Sequence, residues 1–218
     1  MEPILVTQVY PLSQAIPHHS NVFTGWTARV ETVLEYFQIP YTKTYVNLSA
    51  VKSISPTGFV PILKAASLPP EIYINDSVAI CEFLAESHPE LFLWPKDRIL
   101  RTLARSAVAE MHSGFSVMRN TYDTNFVAKY TGNVPITEEG RKEIERMLKI
   151  WGEGRLRTVK RLAELGEKDE GFLFGGFGIA DAFFWPVLWV RDSCGCTGKI
   201  SFCGIHGWLT YRAAISNL

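Results

Sequence analysis

The chain has 218 residues, of which 47% are apolar, with 22 basic and 22 acidic side chains and a formal net charge of zero. That length holds one large or two small domains around a buried core, and the composition excludes a disordered chain. The balanced charge argues against a nucleic-acid or anionic-membrane surface, and the longest apolar run, Ala182 to Val190, is too short to span a bilayer.

The amino-terminal Met1-Glu2-Pro3 has neither the basic region nor the apolar run of a signal peptide, so a soluble cytoplasmic protein is expected. Ile4 to Tyr10 reads as a short strand. A polar loop follows from Pro11 to Phe23. Gly25 to Phe37 reads as a helix with Val30, Val33, Leu34 and Phe37 on one face. Ile39-Pro40-Tyr41 ends it, and Thr42 to Asn47 reads as a second strand. Leu48 to Ser55 is too short and polar for a full helix plus loop. A strand beginning at Val60, a hairpin turning around Leu68-Pro69-Pro70, a strand from Ile72 to Ile74 and a helix from Ser77 to Ser87 come next. That helix turns Val78, Ile80, Cys81 and Leu84 inward.

The Pro-bounded stretch from His88 to Pro95 reads as a linker. Beyond it the pattern is all-helical. Leu100, Leu103, Ala104, Ala107, Val108, Met111, Phe115 and Met118 recur at three and four. Thr137 caps a second long helix carrying Ile144, Met147, Leu148 and Trp151. Gly178-Ile179-Ala180-Asp181 opens a third, with Asp181 at the reciprocal-capping position and Gly178 where Ser or Thr is usual. Two domains are therefore expected, 1–88 and 96–218.

The most informative stretch runs from Ser55-Pro56-Thr57-Gly58-Phe59-Val60-Pro61-Ile62-Leu63 to Asn75-Asp76-Ser77-Val78-Ala79-Ile80. An X-Pro bond enters a short apolar strand, and one hairpin later an acid–hydroxyl pair opens a helix. A strand beginning at Val60 can lend its backbone to an extended peptide as an added strand would. Ser77 offers a hydroxyl and helix N-terminal N–H groups to a carboxylate, and Asp76 can accept from an ammonium group. Together they suit a small peptide with free α-amino and α-carboxyl groups.

These motifs resemble the glutathione-binding half of the cytosolic glutathione transferases. Glu110-Met111-His112-Ser113-Gly114-Phe115 and Phe177-Gly178-Ile179-Ala180-Asp181-Ala182 look like the matching helices of a bacterial- and fungal-type group of that family. The resemblance runs from residue 4 to about 190. It implies an α/β thioredoxin-like N-terminal domain, ordered βαβ then ββα, followed by an all-α C-terminal helical domain. It implies glutathione as co-substrate along Val60 and a cis Pro61, with its γ-glutamyl end at Asp76 and Ser77. It also implies a homodimer, with Asp76 and the following helix near the partner, and a pocket for a small hydrophobic electrophile. Met111, His112, Phe115 and Arg119 are the pocket candidates, although His112 also suits a core position and Arg119 an exposed one.

The family holds the glutathione sulfur as a thiolate through a donor at the start of the first helix, where hydrogen bond and helix dipole lower a thiol pKa of about 8.5. Glu31-Thr32-Val33-Leu34 and Ile39-Pro40-Tyr41 resemble the end of that helix and the start of the next strand. Counting back by the family's spacing puts Thr24 in that place and Thr27 at the second motif position. Serine, cysteine or tyrosine is usual there. Thr24 also reads as a plain helix cap, and Ser20 or Asn21 in the preceding loop are alternative donors. His18-His19, with no carboxylate partner in sequence, is read as neither base nor ligand. Conjugation and glutathione-dependent isomerisation share one site, and a role in natural-product metabolism fits a divergent member. A glutathione-binding module with weak catalysis is the other reading. Cys194, Cys196, Cys203 and His206 spell C-x-C-x6-C-x2-H, but the C-x-C gap is tight and no second half exists, so reduced thiols and no metal are expected.

Overall fold

The computed structural model describes residues 4–9, 25–121 and 137–193. Two compact units divide between Leu91 and Phe92.

The first unit is built on a four-stranded sheet of order β2-β1-β3-β4, formed by β1 (Ile4–Val9), β2 (Thr42–Asn47), β3 (Ile62–Lys64) and β4 (Ile74–Asn75). β1 and β2 run parallel, in register from Ile4↔Thr42 to Val9↔Asn47, so a crossover must join them. The helix α1 (Gly25–Tyr36) lies in that crossover. β3 pairs antiparallel with β1 (Val6↔Ile62) and with β4 (Ile62↔Asn75). Val30, Val33 and Leu34 of α1 are fully buried, as are Ile62 and Leu63 of β3.

Three local expectations need correction. The third strand begins at Ile62 rather than Val60, because Pro61 has no N–H to give to the ladder. The fourth strand is Ile74–Asn75 rather than Ile72 to Ile74. Leu48–Ile54 forms a helix, α2, where none was expected. Burying Val51 anchors it, and the Ser55 N–H continues its last turn to the Val51 carbonyl at 2.7 Å. Tertiary packing, not intrinsic propensity, carries so short a helix.

Helix α3 (Ser77–Ser87) buries Ser77, Ile80, Cys81 and Leu84, one stripe at three- and four-residue spacing. Val78 is only half-buried. Cys81 is a free thiol, fully buried. Burial pushes its pKa well above the ordinary thiol value.

The second unit contains α4 (Arg98–Ser113), α5 (Ser116–Thr121), α6 (Glu138–Leu165) and α7 (Ile179–Ser193). Asp97 caps α4, accepting from the N–H groups of Ile99 and Leu100 at 3.0 Å. The same carboxylate accepts from Arg161 of α6 at 2.8 Å, tying the two helices together. That ion pair holds the Asp97 carboxyl below the usual carboxylate range. Thr137 caps α6 by accepting from the Gly140 N–H, and Gly166 ends it in the left-handed region at φ 67°. The core stripe of α6 comprises Met147, Ile150, Trp151, Gly154, Thr158 and Leu162, while Ile144 and Leu148 are half-buried.

The periodicity running to Met118 crosses a break. Gly114 leaves the helix in an extended conformation, and a Cβ there would lie 2.9 Å from the Glu110 carbonyl oxygen. Phe115 follows at φ 58°. The helix restarts as α5 because the Glu143 carboxylate of α6 accepts from the N–H groups of Val117 and Met118. Both Phe115 and Met118 stay buried, so the apolar pattern does not reveal the break.

At the start of α7, Asp181 accepts from the N–H groups of Leu173 at 2.9 Å and Gly178 at 3.0 Å. The Ile179 N–H donates to the Leu93 carbonyl. A Cβ at position 178 would sit 2.8 Å from that carbonyl oxygen, which explains the glycine in place of Ser or Thr. No helix among the described residues is long and apolar enough to cross a membrane.

Candidate functional site

The loop from Ser55 to Phe59 is fixed by its own polar groups. Ser55 Oγ donates to the Phe59 carbonyl at 2.7 Å and accepts from the Phe59 N–H at 3.2 Å. The Thr57 hydroxyl lies 3.1 Å from the same oxygen. Gly58 supplies the left-handed turn at φ 73°, its N–H reaching the Ser55 carbonyl. This brace leads directly into Val60 and Pro61. The Val60–Pro61 bond is cis, as the motif implies. Pro61 is buried and Val60 half-buried, and both ladders of β3 stop at Ile62, beyond Val60. The bracing role of Ser55 and Thr57 went unread in the sequence, although Ser-x-Thr-Gly before an apolar run is a turn pattern.

One hairpin later, Asp76 rather than Ser77 is the helix cap. Its Oδ1 accepts from the Val78 N–H at 2.7 Å and the Ala79 N–H at 3.4 Å. Two N–H groups expected to be open to a ligand are therefore taken by the chain. Asp76 sits at φ 75°, ψ 134°, which is costly for a residue with a side chain by about 1–3 kcal/mol. Ser77 is the first helical residue and is 2% exposed. Its place on the inward stripe buries the hydroxyl, and Oγ has no hydrogen-bond partner among the described residues. Asn75 Oδ1 beside it is also buried without a partner there. A buried hydroxyl without a partner is uncommon and calls for a reason, such as a ligand that supplies one.

Thr24 lies outside the described residues, as do Tyr10, His18, His19, Ser20 and Asn21. So do Cys194, Cys196, Cys203 and His206. Thr27, the second motif position, is fully buried in α1. Arg29, one turn before Val33, is also buried, with its guanidinium 4.2 Å from the Trp26 ring centroid. No sequence argument singled it out.

The four pocket candidates of the second unit gather around the α4–α5 break. Met111 and Phe115 are buried. His112 is half-buried, its ring centroid 6.4 Å from that of Phe183. The Arg119 guanidinium donates to the carbonyls of Met111 at 3.4 Å and His112 at 3.0 Å. It thus covers carbonyls that the end of α4 leaves open, a structural task the sequence reading did not assign. Desolvation lowers its pKa, and the nearby Glu143 opposes that shift. No cluster of three or more metal-ligating side chains occurs among the described residues.

Residues 23–87 match the family model described as glutathione S-transferase, N-terminal domain. Two curated relatives match parts of the chain. Pyrimidodiazepine synthase of Drosophila melanogaster is 35% identical over 83 residues, covering 36% of this chain and 34% of that protein. A probable maleylacetoacetate isomerase of Caenorhabditis elegans is 32% identical over 102 residues, covering 44% of this chain and 45% of that protein. The match thus spans less than half the length of either relative. Among solved structures, a glutathione S-transferase from the Antarctic clam Laternula elliptica aligns with a TM-score of 0.59 at 19% identity, over 99% of this chain and 88% of that one. A glutathione transferase homologue from Burkholderia with bound glutathione aligns with a TM-score of 0.59 at 19% identity, over 99% and 91%. Residues 23–87 thus resemble the N-terminal domain of glutathione S-transferases, and the chain has the fold of these solved glutathione transferases.

Proposed function

We propose that the protein binds glutathione and holds its sulfur as a thiolate for reaction with a small hydrophobic electrophile, in the cytoplasm and as a homodimer. The observation that carries this reading is the buried hydroxyl of Ser77, without a partner among the described residues, next to an Asp76 held in a costly conformation. A γ-glutamyl carboxylate would give Ser77 Oγ the acceptor it lacks. Asp76 uses Oδ1 on the helix, and a carboxylate has further acceptor sites for an ammonium group. The braced backbone at Val60 would meet the peptide portion as an added strand does. Thr24, next to the first turn of α1, would donate its O–H to the sulfur and favour the charged form. The thiolate then either bonds to an electrophilic carbon of the second substrate, giving a conjugate, or adds reversibly to a conjugated alkene and permits isomerisation. The isomerase named among the partial relatives supports keeping both reactions. Met111 and Phe115 would give the electrophile apolar surroundings, with His112 and the carbonyl-bound Arg119 as their polar neighbours. A place in natural-product metabolism or detoxification is part of this reading.

The test pairs calorimetric titration with glutathione, a panel of activated aryl halides and alkenes, and thiolate absorbance of the bound complex across pH. Tight binding with turnover supports the proposal; binding without turnover of any electrophile favours a glutathione-binding module. Thr24→Val should move the thiolate titration to higher pH while affinity stays nearly intact. A wild-type titration in that variant would shift the donor role to Ser20 or Asn21.

A further inference from the structure

The break between α4 and α5 is built from parts that a straight helix would not need. A continuous helix from Arg98 to Thr121 would close its own hydrogen bonds across the break. The carbonyls of Met111 and His112 would accept from the N–H groups of Phe115 and Ser116. The N–H groups of Val117 and Met118 would donate to the carbonyls of Ser113 and Gly114. Met111, Phe115 and Met118 would still share one face of such a helix, at four- and three-residue spacing. Burial of these side chains therefore does not require the break.

The same four backbone groups are satisfied from elsewhere. Arg119 donates to the carbonyls of Met111 at 3.4 Å and His112 at 3.0 Å. Glu143 of α6 accepts from the N–H groups of Val117 at 3.2 Å and Met118 at 2.7 Å, one oxygen to each. Two charged side chains thus replace the bonds that the break removes. The break also sets Phe115 at φ 58°, a costly conformation for a bulky residue. Gly114 is needed beside it, because a Cβ would lie 2.9 Å from the Glu110 carbonyl oxygen, a backbone atom that cannot swing away. Strain held in place by the surrounding structure points to a task for the strained residue.

What the break alters is where Phe115 stands relative to Met111 and His112. We propose that Glu143, with Arg119 as its counterpart on α5, is a positioning residue for the second substrate. The clamp holds Phe115 off the straight-helix course and so fixes the apolar surface that selects aromatic electrophiles by size. This rests on the electrophile site proposed above, and it adds a determinant on α6 that acts through α5 and Phe115.

Equilibrium dialysis of the full chain against two unreactive aromatics, nitrobenzene and nitronaphthalene, tests this without glutathione. The readout is the ratio of the two affinities. Glu143→Ala removes the clamp, and Gly114→Ala favours the straight course. Each should shift the ratio roughly tenfold or more, and both in the same direction. Glu143→Gln keeps one acceptor oxygen for the two N–H groups and should fall between Glu143→Ala and wild type. Thr137→Ala removes the α6 cap without touching the break, so it should lower Tm and leave the ratio unchanged. An unchanged ratio in Glu143→Ala overturns the proposal. So do shifts of opposite direction in Glu143→Ala and Gly114→Ala, or a Thr137→Ala shift as large as theirs. A wild type that binds neither aromatic overturns it as well. If Gly114→Ala does not fold, Glu143→Ala and Glu143→Gln decide. The expected pattern in a chain that binds no glutathione would support the clamp and overturn the glutathione reading alone.

Discussion

Two helix starts, one in each unit, treat their buried polar groups in opposite ways. At the start of α7, Asp181 is 1% exposed, and both of its oxygens accept from backbone N–H groups, those of Leu173 and Gly178. On α6 of the same unit, Thr158 Oγ1 lies within hydrogen-bond reach of the Gly154 and Leu173 carbonyls. At the start of α3, Ser77 is just as buried, yet its hydroxyl has no partner among the described residues. The first arrangement holds a loop to a helix. The second leaves an expensive position incomplete, which a fold tolerates where something else completes it. The two positions are equally buried and differ in whether the described chain itself satisfies the polar group.

The contrast can be broken at its strongest point first. Asp181→Ala would leave two buried N–H groups without acceptors, at about 1–3 kcal/mol each. Urea unfolding should therefore show a loss of roughly 3–5 kcal/mol, or no folded second unit at all. A loss below about 1 kcal/mol would show that water replaces the carboxylate and that the position is not dry.

The next effect in size belongs to Asp97, which combines a cap with the ion pair to Arg161. Asp97→Asn keeps the cap oxygen and removes the charge, for an expected cost of roughly 1.5–3 kcal/mol at neutral pH. The folded carboxyl titrates below its unfolded value of about 3.9. Its contribution is therefore complete above that value and fades as pH falls through the lower folded pKa. Stability curves of wild type and Asp97→Asn should run parallel at neutral pH and converge only below about pH 4. Convergence at higher pH would point to another carboxylate.

The smallest effect on folding should come from Ser77→Ala. It removes a hydroxyl that satisfies nothing in the described chain, so stability should stay within about 0.5 kcal/mol of wild type or rise slightly. Glutathione affinity should fall by roughly 1.5–3 kcal/mol, the range for a hydrogen bond to a charged group. Lost stability with unchanged affinity would make Ser77 an ordinary core hydroxyl.

Legibility in the sequence followed the range of the interactions. The span of α3 was readable to the residue, because Asp-Ser before an apolar stripe is local chemistry. The α6 cap at Thr137 and the cap carboxylate at Asp181 were readable for the same reason. The short helix α2 was not, since the burial of Val51 depends on the rest of the unit. The break at Gly114–Phe115 was hidden because Phe115 and Met118 keep the helical spacing across it, while the carboxylate that restarts the helix comes from Glu143, 25 residues away from Met118. Asp76 and Ser77 were singled out by motif. The motif could not tell which of them caps the helix, because that depends on the backbone turning to φ 75° at Asp76. Arg119 was read as either a pocket residue or an exposed one, because sequence shows a cation on a helix and not the carbonyls it reaches after the chain bends.

The sealed thiol of Cys81 gives the first unit a built-in clock. It lies on the same stripe as Ser77, one helical turn further on, and its raised pKa removes the reactive thiolate while α3 is closed. With Cys194, Cys196 and Cys203 replaced, a thiol reagent would modify the protein only during moments when α3 lifts. The labelling rate would then report the free energy of that opening, separately from global unfolding. A ligand that binds only the closed helix start would slow labelling by the factor 1 + [L]/Kd. The affinity of a colourless ligand could thus be read from the reaction of a side chain it never touches.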